Sequence, residues 1–158
     1  MANKILLALG GITGYYFIIF EKLWQIFYLY PQTAVSLTVK QHLAIKNLKG
    51  LKGLFDYLLQ TDFSGTQRSI IESLLFHLAW IVVAVFTVTS TNVSFGQGLV
   101  MGLGFYLVVK AWENQRLSWQ VFKQGTFWQV GRVVSDSEAK YYLYFLTGVF
   151  GLLTLLYI

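Results

Sequence analysis

Residues 69–90 read SIIESLLFHLAWIVVAVFTVTS, an apolar run of helical length with an acid, Glu72, and an imidazole, His77, in its first half. A helix crossing hydrocarbon needs about 20 such residues, so this stretch predicts a membrane span over 68–90. Ser69 and Glu72 have the S-x-x-E form of a capping box, which predicts Glu72 one turn inside the helix, stabilising its N-terminus. The functional reading of the same acid is an ion or proton site paired with Lys110 or Lys22. His77 lies deeper and is offset from Glu72 by roughly 140° around a helix, so the two do not share a ligand face. It is expected to pack and to bond Ser73 or a neighbouring helix. Axial ligation of a haem or chlorophyll is the cofactor reading of His77, and a proton relay is a third.

The whole composition agrees with that stretch. Of 158 residues, 56% are hydrophobic and only 12% charged, against roughly 25% charged in soluble domains. A chain this short cannot bury so much apolar surface in its own interior, and lipid is the simplest cover. Aromatics at 18% suit the membrane–water boundary. The absence of cysteine excludes disulfides, thiolate nucleophiles and thiolate metal sites. The net charge of +5 comes from bases clustered beside apolar runs. That arrangement points to membrane topology and anionic lipid headgroups, not to nucleic acid.

The fold class expected is an all-α integral-membrane bundle of about four spans, at 4–30, 68–90, 95–113 and 139–158, within a single membrane domain 1–158. Three spans is the alternative, with the first or third re-entrant. The first run is read as a retained span and not a secretory signal, because no small-x-small cleavage site follows it. Pro31 is expected to stop it, after an aromatic belt of Trp24, Phe27, Tyr28 and Tyr30. Segments 36–60 and 114–133 are too charged to span and are predicted to lie in the interface. Along the former, Ala44, Leu48, Leu51, Phe55 and Leu58 share one helical face, and Lys40, Lys46, Lys49 and Lys52 are directed to headgroups. Trp119, Phe122, Phe127 and Trp128 form an aromatic belt in the latter. Five Lys and Arg fall in each of the connections 31–68 and 110–140, and none in the 91–94 turn. This bias places both connections in the cytoplasm and both termini outside, in a bacterial inner membrane or an organelle membrane.

Small residues mark the packing faces. Gly10 with Gly14 and Gly98 with Gly102 have GxxxG spacing, and Gly148 and Gly151 align with Thr147 and Thr154. In the second span Ser69, Ser73, His77, Trp80, Ala84, Thr87 and Thr91 fall along one stripe. Glu21 shares a face with Gly10 and Gly14 and is expected to pair with Lys22 or another lysine. Asn92-Val93-Ser94 matches a glycosylation sequon, though a turn this near the membrane is a poor acceptor. Ser135 with Glu138 repeats the S-x-x-E start signal before the fourth span.

No H-E-x-x-H, G-x-S-x-G or P-loop occurs. Ser73 and His77 stand on one helix with no oxyanion site, so an enzyme is not expected. The expected function is that of a non-catalytic accessory or structural subunit of a larger membrane complex. The rival is a small homo-oligomeric channel or transporter, with Glu72, His77, Glu21 and Lys110 lining its path.

Overall fold

The structure, a computed structural model, describes residues 2–29, 32, 36, 37, 39–41, 69–90 and 94–157. Every regular element among them is helical. In chain order they are α1 (Ala2–Tyr15), α2 (Ile18–Trp24) continued by a π-helical turn (Gln25–Leu29), α3 (Leu74–Thr89), α4 (Ser94–Leu117), α5 (Trp119–Thr126) and α6 (Asp136–Tyr157). Three stretches are long and apolar enough to cross a membrane: Asn3–Tyr28, Ser94–Leu117 and Asp136–Leu156. The chain divides into two compact units, one of Phe17–Gln67 and one of Met1–Tyr16 with Arg68–Ile158.

In the unit Phe17–Gln67, α2 and the π-helical turn carry Trp24 stacked on Tyr28, ring centroids 4.3 Å apart. The Lys40 ammonium lies 5.9 Å from the Phe27 ring centroid. The first apolar run is therefore not one unbroken α-helix. α1 ends at Tyr15, Tyr16 and Phe17 form a turn, and the last residues wind as a π-helix. The run Tyr15-Tyr16-Phe17-Ile18-Ile19 lowers helix propensity here, because aromatic and β-branched side chains lose rotamer freedom in a helix. Tyr30 and Pro31 lie outside the described residues, as do residues 42–60 of the expected interfacial helix, with Lys46, Lys49 and Lys52.

The other unit is built around α4. Gly10 and Gly14 of α1 interdigitate with Gly98 and Gly102 of α4 so closely that a side-chain carbon at any of them would strike backbone. At Gly10 it would meet Phe95 O and lie 2.8 Å from Leu99 N. At Gly14 it would meet Leu99 O and lie 2.8 Å from Leu103 N. Residue numbers rise together on both sides, so α1 and α4 run parallel. α3 runs antiparallel to α4: the Gln97 amide donates to Ser90 O (3.2 Å), and the Trp80 indole donates to Val100 O (2.9 Å). Gly104 lies directly under the Trp80 ring, where a Cβ would clash. α6 is also antiparallel to α4, through the Trp112 indole donating to Thr147 Oγ1 (3.1 Å) and the Phe105–Phe150 contact.

α3 departs from expectation. It begins at Leu74, not near 68, and its 16 residues span about 24 Å at about 1.5 Å each. That is shorter than about 30 Å of hydrocarbon. Three candidate spans result, and the short element is the second, not the first or third. Ser73 is the true cap: its backbone is extended and its Oγ accepts from Phe76 N (3.3 Å) while donating to Ile70 O (2.6 Å). Of the expected inner stripe, Ser73, His77, Trp80 and Ala84 are buried, Ser69 and Thr87 are half-buried, and Thr91 lies outside the described residues.

α4 runs four residues past the expected end at 113. α5 follows after Ser118, whose Oγ caps it by accepting from Val121 N (3.0 Å). Phe122 and Phe127 correct the expected aromatic belt: Phe122 is fully buried and Phe127 packs between it and Tyr142. The capping box before α6 forms in full. Glu138 N donates to Ser135 Oγ (3.3 Å) and Ser135 N donates to Glu138 Oε2 (2.9 Å).

Candidate functional site

One cluster of polar side chains stands at the end where α3 and α6 begin and α4 finishes. Glu72 stands in the turn before α3, outside the helix. Its N–H donates to Ser69 Oγ (3.2 Å), which is half of the predicted box. Its carboxylate turns instead to α4, where it accepts from Asn114 Nδ2 at 3.1 Å and from the Tyr106 hydroxyl at 3.5 Å. The first bond is well formed and the second is at the weak limit. Asn114 is buried, and a Cβ on Gly125 of α5 would lie 3.8 Å from both its Nδ2 and Glu72 Oε2, so α5 roofs the cluster. Tyr106 also receives the edge of Tyr15 from α1, centroids 6.0 Å apart.

His77 is only 2% exposed. Its Nδ1 lies 2.7 Å from the Tyr142 hydroxyl of α6, and the two rings are parallel to within 7°. The partner is thus the neighbouring helix and not Ser73, whose hydroxyl is already used in the cap. The Nδ1 bond leaves Nε2 as the ring nitrogen that the expected axial-ligand role would use. No group of three or more His, Asp or Glu among the described residues is placed to hold a metal.

Lys110 lies on the α4 stripe between Tyr106 and Asn114, and its ion pair is with Glu113, 3.6 Å away one turn along. Glu21 belongs to the other unit, where it accepts from Gln25 Nε2 at 3.0 Å. Among the described residues, a Cβ at Gly148 or Gly151 would meet nothing within 4 Å. Beyond the cluster, Lys123 pairs with Asp136 (2.6 Å) and Arg132 with Glu138 (2.7 Å), tying α5 and its following turn to the start of α6. Glu138 holds the Arg132 guanidinium above its ordinary value, by the hydrogen bond first and its charge second.

Sequence reading missed Tyr106, Asn114, Gly125 and Tyr142. The available signal was the i, i+4, i+8 spacing of Tyr106, Lys110 and Asn114, three polar-tipped residues on one face of an otherwise apolar helix. Comparison with protein-family models, with curated proteins and with solved structures gives no match.

Proposed function

We propose that this chain is a multi-pass helical membrane protein acting as a non-catalytic structural or accessory subunit of a larger membrane assembly. The observation that carries this is the distribution of polarity. His77, Asn114 and Ser73 are buried, whereas Ile5, Val82, Phe86, Leu152 and Leu155 are exposed. Such a surface needs an apolar solvent. The inward polar groups are bonded to one another across helices, His77 to Tyr142, Trp80 to Val100, Trp112 to Thr147 and Glu72 to Asn114. Groups engaged in this way hold helices together and leave little reactive capacity.

α3 completes a fourth crossing in this reading. The irregular residues before it are tolerable at membrane depth because Ile71 and Ser73 are buried in protein. The basic connections lie in the cytoplasm and the termini outside, and Lys40, Lys46, Lys49 and Lys52 meet anionic headgroups.

The test is the native mass of the tagged protein extracted from its own membrane in mild detergent. A particle containing other membrane subunits in fixed ratio is expected. A mass at a whole multiple of 18.1 kDa with nothing else bound would replace this reading with the homo-oligomeric channel or transporter. One feature favours that second reading: a half-buried carboxylate at Glu72 that accepts from Asn114 and Tyr106 within an otherwise apolar fold. It predicts that Glu72→Gln abolishes flux in reconstituted vesicles.

A further inference from the structure

Charge pairing around α4, α5 and α6 leaves two cations over. Between 110 and 140 the bases are Lys110, Arg116, Lys123, Arg132 and Lys140, and the acids are Glu113, Asp136 and Glu138. Each acid is ion-paired with one base: Glu113 with Lys110, Asp136 with Lys123, Glu138 with Arg132. Arg116 and Lys140 are exposed and have no acidic partner among the described residues.

Helix register brings these two together. Trp112 of α4 touches Tyr144 of α6, ring centroids 6.0 Å apart, and its indole bonds Thr147. Arg116 stands one turn beyond Trp112, and Lys140 one turn before Tyr144 on the antiparallel partner. Residues four apart share a helix face, so both cations crown the same end of the α4–α6 seam. Below Lys140 the outward face of α6 continues through Tyr144, Gly148 and Leu152, all exposed. Lys140 to Leu152 covers about 18 Å at about 1.5 Å per residue, close to one leaflet of a hydrocarbon core about 30 Å thick.

We propose that this seam seats one anionic phospholipid, its phosphate between Arg116 and Lys140 and an acyl chain along Tyr144, Gly148 and Leu152. The inference rests on the membrane reading above. It commits to a lipid because an aqueous acidic ligand would match the two charges but not the apolar track beneath them.

The test uses the full chain with Trp24, Trp119 and Trp128 replaced by phenylalanine, so that Trp112 at the seam reports beside the buried Trp80. It is placed in vesicles containing brominated phosphatidylglycerol or brominated phosphatidylcholine, with tryptophan fluorescence as the readout. Two basic residues near an anionic lipid predict a preference of roughly 30-fold, roughly fivefold each. The expected result is preferential quenching by the anionic lipid, lost in R116Q/K140Q and kept in K4Q. Lys4 supplies the charge control, since parallel packing of α1 and α4 puts it at the far end of the unit. Retained preference in the double variant, or equal loss in K4Q, overturns the seat. Equal quenching by both lipids also overturns it while sustaining membrane insertion. Quenching by neither removes the membrane reading itself.

Discussion

His77 and Tyr142 show how a single polar contact does structural work in an apolar setting. The Nδ1–hydroxyl distance of 2.7 Å joins α3 to α6, and neither group has water at hand to replace the other. Membrane-embedded hydrogen bonds contribute about 0.6 kcal/mol on average and about 1.7 at most, while an orphaned buried group costs about 1–3 kcal/mol. His77→Phe and Tyr142→Phe should each lower the unfolding free energy in detergent by about 1–3 kcal/mol. The double variant should cost clearly less than their sum, because it leaves no orphan. A thermal or denaturant double-mutant cycle measures this, and strict additivity would show that the pair is not coupled. Glu72 makes the opposite case. Glutamine keeps an oxygen to accept from Asn114, so E72Q should stay within about 1 kcal/mol of the parent. E72L strands the Asn114 amide and should cost about 1–3 kcal/mol. Both are read from the same unfolding curves, and a large loss in E72Q would mean that the charge itself holds the turn before α3.

Among the elements, α1 and α4 make the closest contact. Gly10, Gly14, Gly98 and Gly102 face opposing backbone, which cannot swing aside as a side chain could. Gly14→Ala should therefore push the helices apart and cost about 1–3 kcal/mol, as overpacking does. Gly148→Ala faces open space and should be neutral or slightly stabilising, since alanine is the better helix former by about 1 kcal/mol. Helical content against denaturant in detergent compares them, and equal losses in the two would contradict the close contact of α1 with α4. The GxxxG faces were legible in the sequence because spacing alone defines them, but their partner was not, since 88 positions separate Gly10 from Gly98. The start of α3 was misread for a related reason. Ser69/Glu72 and Ser135/Glu138 have the same local pattern, yet only the second closes into a full box. Asn114, 42 positions away, draws the Glu72 carboxylate off, and no local signal carries that. His77 was legible as a buried anchor from its stripe with Ser73, Trp80 and Ala84. Tyr142 was not legible as its partner, being 65 positions distant on another element.

At the scale of the whole molecule, the proposed four crossings rest on helix direction and not on helix length. By length α3 falls short, and a count of apolar helices stops at three. Yet α1 and α4 run parallel, so the chain must return to its starting end before α4 begins, and α3, antiparallel to α4, makes that return. α4 then carries the chain to the opposite end, where α5 and the turn before α6 lie. Lys4 and Val133 should therefore stand on opposite sides of the membrane. The chain has no cysteine, and Val133 is 93% exposed, so K4C and V133C offer single unambiguous labels. In the proposed orientation, the Lys and Arg bias puts Lys4 outside and Val133 on the cytoplasmic side. A membrane-impermeant maleimide should label K4C in intact cells or vesicles of native orientation, and V133C only after permeabilisation. Labelling of both from one side would sink the four-crossing arrangement, because α4 could not then traverse the bilayer. Opposite sides with the order reversed would preserve the crossings and overturn only the charge-based orientation, moving Arg116 and Lys140 to the outer leaflet.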